Sequence, residues 1–502
     1  IQPTEIIVEE GIKQLLFLKN AVYFSITTYI YVMSSETNSP STNQQPTLKR
    51  VLGLSTGILL VAGMMIGSGV FKKIVPMAQT GLSETWIILA WIGAGIITMF
   101  GAFTIAGLAN LTEESGGVYE YLRLSFGNFF SFLFGWTDFT TIGCASIAAL
   151  GFIFAQTVNV FVPLGDPFQS LEHLSIAGII FPFADSGIKL LAIAVIVLLT
   201  WVNYRGVQNG GLINNIITSA KILGILLLII LGLSYSGTGA AQQVITTVPT
   251  QELHGMALFS AVLAAMLSAF WAYDGWSNIS FIAGELKNPK RNIPIAIMSG
   301  VAIAMLLYVL VNVAYMHVLP LQALRAVGQS QIGAAVVAET LLGKFGQTLI
   351  VLLIMISVFG AINGILLAHA RIYYRMAQEK FFFKKAANVH PVYRTPSVAL
   401  LYTMIWSCIL VISGTFDMLT NMVIFAGFLF YSLVAIALFK MKRNGTIKAK
   451  VIGYPVIPAF ITLFSIALLV NTVVTEPKQS LIGSGLVLSG VFFYFYFKAK
   501  NK

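Results

Sequence analysis

Apolar residues run along most of the chain in long stretches that short polar segments separate. A helix needs about 20 apolar residues to cross the hydrocarbon core of a bilayer. The pattern therefore predicts about twelve membrane-spanning helices, which we number spans one to twelve. The runs are too long and too uniformly apolar for the short alternating strands of a membrane barrel. The predicted limits are 52–77, 86–110, 127–161, 187–206, 212–234, 257–283, 293–318, 342–374, 396–413, 417–440, 452–475 and 479–498.

The composition supports a helical protein that crosses a membrane many times. Of 502 residues, 57% are hydrophobic and only 10% are charged, whereas about a quarter of a soluble domain is charged. The net charge of +11 is typical of basic cytoplasmic loops and does not indicate nucleic-acid binding. Cys144 and Cys408 both lie in apolar spans, so a disulfide framework is not expected.

The loop charges predict how the protein is oriented in its membrane. Lysine and arginine follow spans six, eight and ten, whereas loops 162–186 and 235–256 contain acidic residues and no lysine or arginine. Because cytoplasmic loops carry the excess of basic residues, both termini are expected on the cytoplasmic side. Lys72 and Lys73 lie near the outer end of span one, and we interpret them as vestibule residues.

The first 50 residues are predicted to be an extension and a cytoplasmic tail. Residue 1 is not methionine, and the weakly apolar run up to residue 31 has no basic region or cleavage site typical of a signal peptide. Met33 opens a polar segment. We therefore expect Met33 to be the true start and residues 1–32 to be upstream sequence.

Two spans are interrupted where a continuous helix would be expected. Span one contains Gly63-Met64-Met65-Ile66-Gly67-Ser68-Gly69, and span six contains Trp271-Ala272-Tyr273-Asp274-Gly275. Unpaired backbone groups in hydrocarbon cost several kcal/mol each, so such breaks persist where they line a cavity or meet a ligand. Breaks five spans apart are typical of transporters built from inverted repeats. The alternatives are close helix packing for the glycines and an interfacial aromatic belt for the tryptophans.

The domain prediction follows from the spacing of the breaks. Residues 51–240, with spans one to five, would form the first repeat, and residues 257–440, with spans six to ten, would form the second. Residues 452–498 would add spans eleven and twelve. The fold class predicted is an all-α membrane protein with a five-plus-five inverted repeat and two extra helices.

Five stretches in this order resemble the amino acid–polyamine–organocation transporters, above all the L-type amino acid transporter group and its bacterial relatives. The likeness extends over about residues 50–440. Its motifs are the two breaks, Glu114-Ser115-Gly116-Gly117-Val118-Tyr119-Glu120-Tyr121, Asn203-Tyr204-Arg205-Gly206-Val207, and Gly284-Glu285-Leu286-Lys287-Asn288-Pro289-Lys290-Arg291-Asn292-Ile293-Pro294.

The resemblance implies a LeuT-like fold that holds an amino acid between the two breaks. Amides at Gly67, Ser68 and Gly69 would bind its carboxylate, as the N-terminal end of a half-helix favours an anion. Carbonyls at Met65, Trp271 and Asp274 would bind its ammonium group. The substrate-binding residues implied are Met65, Ile66, Gly67, Ser68, Gly69, Trp271, Ala272, Asp274 and Gly275.

Two positions of the implied site depart from the family pattern. Trp271 would close over the substrate as a gate, where the family more often has phenylalanine. Asp274 stands where animal members tend to have a small residue. Its side chain would either select a cationic substrate or point away and stabilise the unwound segment, and we favour the second.

Lys221 is the candidate for energy coupling because it lies inside span five, where a buried charge is costly. The resemblance implies that its ammonium group reaches the break of span one, in the place of a sodium ion in sodium-coupled relatives. The alternative is that the side chain extends to the cytoplasmic surface. Asp138 and Glu285 are the other acidic residues that we consider for a role in coupling, and for Asp138 we favour a structural role.

The function predicted is sodium-independent transport of neutral L-amino acids, by alternating access and as an exchanger. The alternative is a proton-coupled importer of amino acids or polyamines. Few charges line the spans, which argues against a channel, and the scattered histidines suggest neither an enzyme nor a metal site. No cofactor is expected. Animal members of the group that the chain resembles pair with a heavy chain through a cysteine in the loop after span three. Loop 162–186 has no cysteine, so no covalent heavy-chain partner is expected, which suits a bacterial inner membrane.

Overall fold

A computed structural model describes residues 52–109, 111–112, 116–176, 180–206, 210–236, 253–328 and 331–500. The expectations for residues 1–50, including those for Met33, lie outside the described residues. Within that described part the protein is helical, and its β-bridges are isolated pairs such as Leu52 with Leu286. The predicted all-α class is confirmed.

Eleven helices in the described ranges are long and apolar enough to cross a membrane, and the shorter apolar helix Ser397–Ser413 occupies the position of span nine. The predicted number of about twelve spans is therefore confirmed. The helices outside the two broken spans are Glu84–Leu108, Asn128–Thr137 with Gly143–Phe161, Ser186–Arg205, Gly210–Leu233, Pro289–Val318, Gly333–Gln378, Ser397–Ser413, Phe416–Arg443, Val456–Thr475 and Pro477–Lys500, and shorter helices are Val118–Phe126 and Leu321–Ala326.

Span one is broken where its glycines predicted. Its first helix, Leu54–Met65, ends because Ile66 leaves the helical region at ψ 80°. The chain resumes as the short helices Gly69–Lys72 and Ile74–Gln79. The amide of Gly67 turns back to the Met65 carbonyl at 2.8 Å. It therefore no longer reaches the Gly63 carbonyl, its partner in a regular α-helix.

Span six is broken in the corresponding place. The helix Gly255–Tyr273 ends at Asp274, which is extended with ψ 157°. Gly275 has a φ of +93°, which favours glycine over residues with a side chain. A 3₁₀ helix, Asn278–Glu285, completes the span.

The two broken spans are in contact at their breaks and again where span one begins and span six ends. A Cβ atom on Gly69 would lie 2.4 Å from the Cα of Ala272, so spans one and six touch backbone to backbone there. Where span six ends, the Leu52 amide donates to the Glu285 carbonyl at 3.0 Å, and the Lys287 amide donates to the Leu52 carbonyl at 2.9 Å. These contacts tie the start of span one to the end of span six.

The two longest spans, three and eight, are irregular helices. Span three contains a π-helical turn at Asp138–Ile142, a feature that inserts one residue into the helix and is frequent at functional sites. Span eight covers 46 residues and bends at Leu342 and Gly343. A short helix precedes this bend, so the span begins at Gly333, nine positions before the predicted start.

Candidate substrate site

At the break of span one, two backbone amides donate to no group among the described residues. The amide of Gly67 is bound to Met65, whereas those of Ser68 and Gly69 have no acceptor among the described residues. All three residues are buried. Two of the three amides expected to bind a carboxylate therefore remain available to an anion.

The space beside Gly67 lies between spans one, three and eight. A Cβ atom built on Gly67 would be 3.7 Å from Leu150 Cδ2 and 3.9 Å from Ala361 Cβ. Both neighbours are apolar, and the position has room for a small group. This arrangement suits a substrate with an uncharged side chain.

Trp271 connects the two breaks directly. Its indole Nε1 donates a hydrogen bond to Ser68 Oγ at 3.2 Å. Its ring meets that of Phe416, in span ten, edge to face at 6.0 Å. Only 7% of Trp271 is exposed, which argues against the interfacial aromatic belt as the reason for this tryptophan.

Tyr308 in span seven contacts both breaks, and sequence reasoning missed it. Its hydroxyl lies 2.8 Å from the Met65 carbonyl and 2.9 Å from the Ala272 carbonyl. A hydroxyl has one proton to donate, so it donates to only one of the two carbonyls at a time, and the Met65 carbonyl also accepts from the amide of Gly67. Nothing in the local sequence distinguishes this tyrosine from the others in the spans.

Lys221 meets the break of span one from span five. Its Nζ atom donates to the carbonyls of Gly63 and Ile66, each at 3.0 Å. The residue is 1% exposed, so the alternative of a side chain that extends to the surface is wrong. The ammonium group replaces the amide of Gly67 as the donor to Gly63, and Ser357 Oγ also donates to Ile66 at 3.0 Å.

The two lysines expected in a vestibule are instead buried against spans three and ten. Lys73 Nζ lies 2.9 Å from Asp417 Oδ1 and 3.0 Å from Thr420 Oγ1. Lys72 Nζ donates to Gln156 at 2.8 Å. Both ammonium groups lie over the ring of Phe416, at 4.6 and 4.7 Å from its centroid. These contacts join span one to span ten beside Trp271.

Asp274 lines a cavity of about 30 Å³ with Thr98, Trp276 and Tyr431. No residue of the span-one break is among those that line it. A cavity of this volume can hold one or two water molecules. The location favours a carboxylate that stabilises the unwound segment rather than one that contacts the substrate.

The two acids noted from the sequence are both paired. Asp138 accepts from His369 and Tyr373, and Glu285 accepts from Arg371 at 3.2 Å. No group of three or more histidine, cysteine, aspartate or glutamate side chains in the described part could hold a metal ion. Cys144 and Cys408 are free.

Removing the indole of Trp271 should impair transport more than folding. We expect Trp271→Ala to lose most transport, because the link between Ser68 and Phe416 disappears, and Trp271→Phe to retain much of it, because the ring contact survives. Transport per folded protein in proteoliposomes measures the effect. Trp201→Ala, which removes a tryptophan that is 51% exposed, is the control. Normal transport by Trp271→Ala would place the gate elsewhere.

The comparisons with known proteins agree with this geometry. The family model described as amino acid permease matches residues 52–497. The chain is 29% identical to the serine/threonine exchanger SteT of Bacillus subtilis over 90% of this chain and 98% of that protein. It is 30% identical to the mouse b(0,+)-type amino acid transporter 1, over 92% and 91% of the two chains.

A third relative is also named as an amino acid transporter. The mouse large neutral amino acids transporter small subunit 2 is 28% identical over 93% of this chain and 85% of its own. The resemblance to the amino acid–polyamine–organocation transporters and their L-type group is thereby confirmed, as is the expectation of a transporter rather than an enzyme. The chain belongs to the amino acid permease family.

Proposed function

We propose that the protein exchanges neutral L-amino acids across a bacterial inner membrane without sodium. The observation that carries the proposal is the ammonium group of Lys221 on the carbonyls of Gly63 and Ile66. A fixed positive charge there satisfies the acceptors that a metal cation would otherwise need to meet. The relatives support exchange, because one is named a serine/threonine exchanger.

The amides of Ser68 and Gly69 bind the substrate carboxylate in this proposal. Its ammonium group binds whichever of the Met65 and Ala272 carbonyls Tyr308 does not donate to, together with the carbonyls of Trp271 and Asp274. Its side chain lies toward Leu150 and Ala361. Ile66 and Gly275 shape the backbone of the two breaks, and Trp271 closes the site.

The two breaks also support the proposed domain organisation. Residues 51–240 and 257–440 act as inverted repeats that rock against each other, with both termini in the cytoplasm, and residues 452–498 add two peripheral spans. Because loop 162–186 contains no cysteine, we propose that the protein works without a covalent heavy-chain partner, although one relative is named a small subunit.

Proton-coupled import of amino acids or polyamines is the second candidate. The carboxylate of Asp274 in the break of span six favours it, since an ionisable group inside a membrane span can carry a proton. Transport assays in proteoliposomes separate the two candidates. An imposed pH gradient would drive import without internal amino acid in the second candidate only.

Sodium should have no effect on transport. Proteoliposomes loaded with unlabelled serine, leucine or arginine would be tested for uptake of each labelled amino acid. We expect neutral amino acids to exchange at the same rate when external choline replaces sodium, because Lys221 occupies the cation position. Uptake that rises steeply with sodium, or that needs no internal amino acid, would contradict the proposal.

A further inference from the structure

We propose that Lys72 sets the charge selectivity of the substrate site, because its ammonium group excludes amino acids with a cationic side chain. The inference rests on the proposed function and deepens it by naming a substrate class that the site refuses. Its basis is a buried lysine beside the breaks whose hydrogen-bond partner, among the described residues, is an uncharged amide.

Lys72 ends the short helix that follows the break of span one. That helix begins at Gly69, whose amide has no acceptor among the described residues. Lys72 therefore lies less than one helical turn beyond an amide that, in the proposed function, binds the substrate carboxylate. The residue is only 4% exposed, so salt and water screen its charge weakly.

The surroundings of Lys72 favour its charged form without neutralising it. Its Nζ atom donates to Gln156 Oε1 at 2.8 Å and lies 4.6 Å from the centroid of the Phe416 ring. A hydrogen-bond acceptor and the face of an aromatic ring both stabilise an ammonium group. Neither partner carries a negative charge, so the positive charge of Lys72 remains available to act on a substrate.

The carboxylate in this region is bonded to the neighbouring lysine. Asp417 Oδ1 lies 2.9 Å from Lys73 Nζ, and Asp417 and Lys73 both lie within electrostatic range of Lys72. Two ammonium groups thus share one carboxylate. Glu476, at the end of span eleven, is within range of Asp417 and Lys73, but it is partly exposed, so water screens its charge. A positive charge is left over beside the break.

Phe416 places this charge next to the substrate site. The ammonium group of Lys72 lies over one side of the ring, and the ring of Trp271 meets the same ring edge to face at 6.0 Å. A single aromatic ring therefore separates Lys72 from the tryptophan that closes the site in the proposed function. At a separation on the order of 10 Å, two like charges in a protein repel enough to weaken binding about tenfold.

Asp274 does not cancel the positive charge at the breaks. It lines a cavity that no residue of the span-one break lines. On the other half of span one, Lys221 adds a second ammonium group, which binds the uncharged carbonyls of Gly63 and Ile66. The breaks therefore hold an excess of positive charge whether or not Asp274 is ionised, and a cationic side chain is disfavoured there.

Competition between two matched amino acids tests the proposal. The side chains of homoserine and α,γ-diaminobutyrate differ only in ending with a hydroxyl or an ammonium group. Each would be tested as an inhibitor of the exchange of a labelled neutral amino acid in proteoliposomes. We expect diaminobutyrate to inhibit the wild type at least about tenfold more weakly than homoserine. Lys72→Met should reduce this ratio about fivefold or more, whereas Lys72→Arg should keep it.

Three further variants separate the charge of Lys72 from its packing. Lys72→Gln is a second neutral variant that can keep a polar contact with Gln156, and it should reduce the ratio as Lys72→Met does. Gln156→Met removes the hydrogen-bond partner but keeps the ammonium group, so it should keep the ratio. Lys189→Met removes a buried lysine that binds backbone carbonyls at the start of span four, and it should also keep the ratio.

A purely structural role for Lys72 would lower inhibition by both compounds equally and leave their ratio unchanged. The proposal is overturned if the wild type is inhibited equally by both, if both neutral variants keep the full ratio, or if Lys72→Arg loses it. Thermal stabilisation of the purified protein by each compound gives the same ratio without transport. A protein that binds homoserine but does not exchange it would contradict the proposed function, and its binding ratio would still decide the role of Lys72.

Discussion

Replacing Lys221 with alanine should remove most transport while leaving a folded protein. The Gly63 carbonyl has lost its helical donor, because the amide of Gly67 donates to Met65 at 2.8 Å instead. Lys221 supplies the replacement donor at 3.0 Å. A buried acceptor left without a donor costs about 1–3 kcal/mol, so the geometry of the break should no longer be held. We expect turnover to fall by roughly 10-fold or more, since each 1.4 kcal/mol is about tenfold in an equilibrium.

Lys221→Ala should reduce turnover more than substrate affinity. Lys221 contacts the first half of span one at Gly63 and Ile66, and the available amides are those of Ser68 and Gly69. The Ile66 carbonyl keeps Ser357 as a donor, so the carboxylate side of the site should retain part of its shape. Initial rates of exchange, together with substrate binding by calorimetry, separate the two effects.

Lys189→Ala is the matched control for this variant. Lys189 is also buried, and its ammonium group also binds backbone carbonyls, including that of Ile412 at 3.2 Å. It lies at the start of span four, where it does not contact the breaks. We expect Lys189→Ala to lower thermal stability and to keep turnover per folded protein. Equal turnover in the wild type and in Lys221→Ala would show that Lys221 has no coupling role.

Local sequence was sufficient to predict the breaks and most of the spans. Helix length and apolar character are properties of neighbouring residues, so the limits of the spans follow from the chain itself. The breaks at Gly67 and at Asp274 were predicted because glycine and charged residues are costly in a membrane helix. The bend of span eight at Gly343 was missed, since a glycine beside a lysine at the start of a predicted span does not reveal its φ of +63°.

Partners distant in sequence could not be predicted in the same way. Tyr308 binds a carbonyl 243 positions away, and His369 binds Asp138 from 231 positions away. Nothing in the residues next to either indicates such a partner. Lys73 was interpreted as a vestibule residue because it lies near the outer end of span one. Asp417, whose carboxylate binds it, was visible only once spans one and ten were packed together.

A valine at Gly67 should abolish substrate binding without disturbing the fold. The added side chain would point toward Leu150 and Ala361, which lie 3.7 and 3.9 Å from the new Cβ atom. This is ordinary contact distance, so the first carbon fits, and the branched methyl groups then fill the space beside the amides of Ser68 and Gly69. A carboxylate would be excluded from them. We expect substrate-dependent thermal stabilisation to disappear, with a melting temperature close to that of the wild type without substrate.

A substitution at Gly69 should lower thermal stability as well as substrate binding, unlike the valine at Gly67. A Cβ atom there would lie 2.4 Å from the Cα of Ala272, and backbone cannot move aside as the end of a side chain can. Gly69→Ala should therefore separate spans one and six and lower the melting temperature together with substrate binding. Gly485→Val, in span twelve, adds its side chain where nothing lies within 4 Å and should leave both unchanged. If Gly67→Val binds substrate with wild-type affinity, the carboxylate does not lie beside Gly67, because a valine and a bound carboxylate cannot occupy the same space.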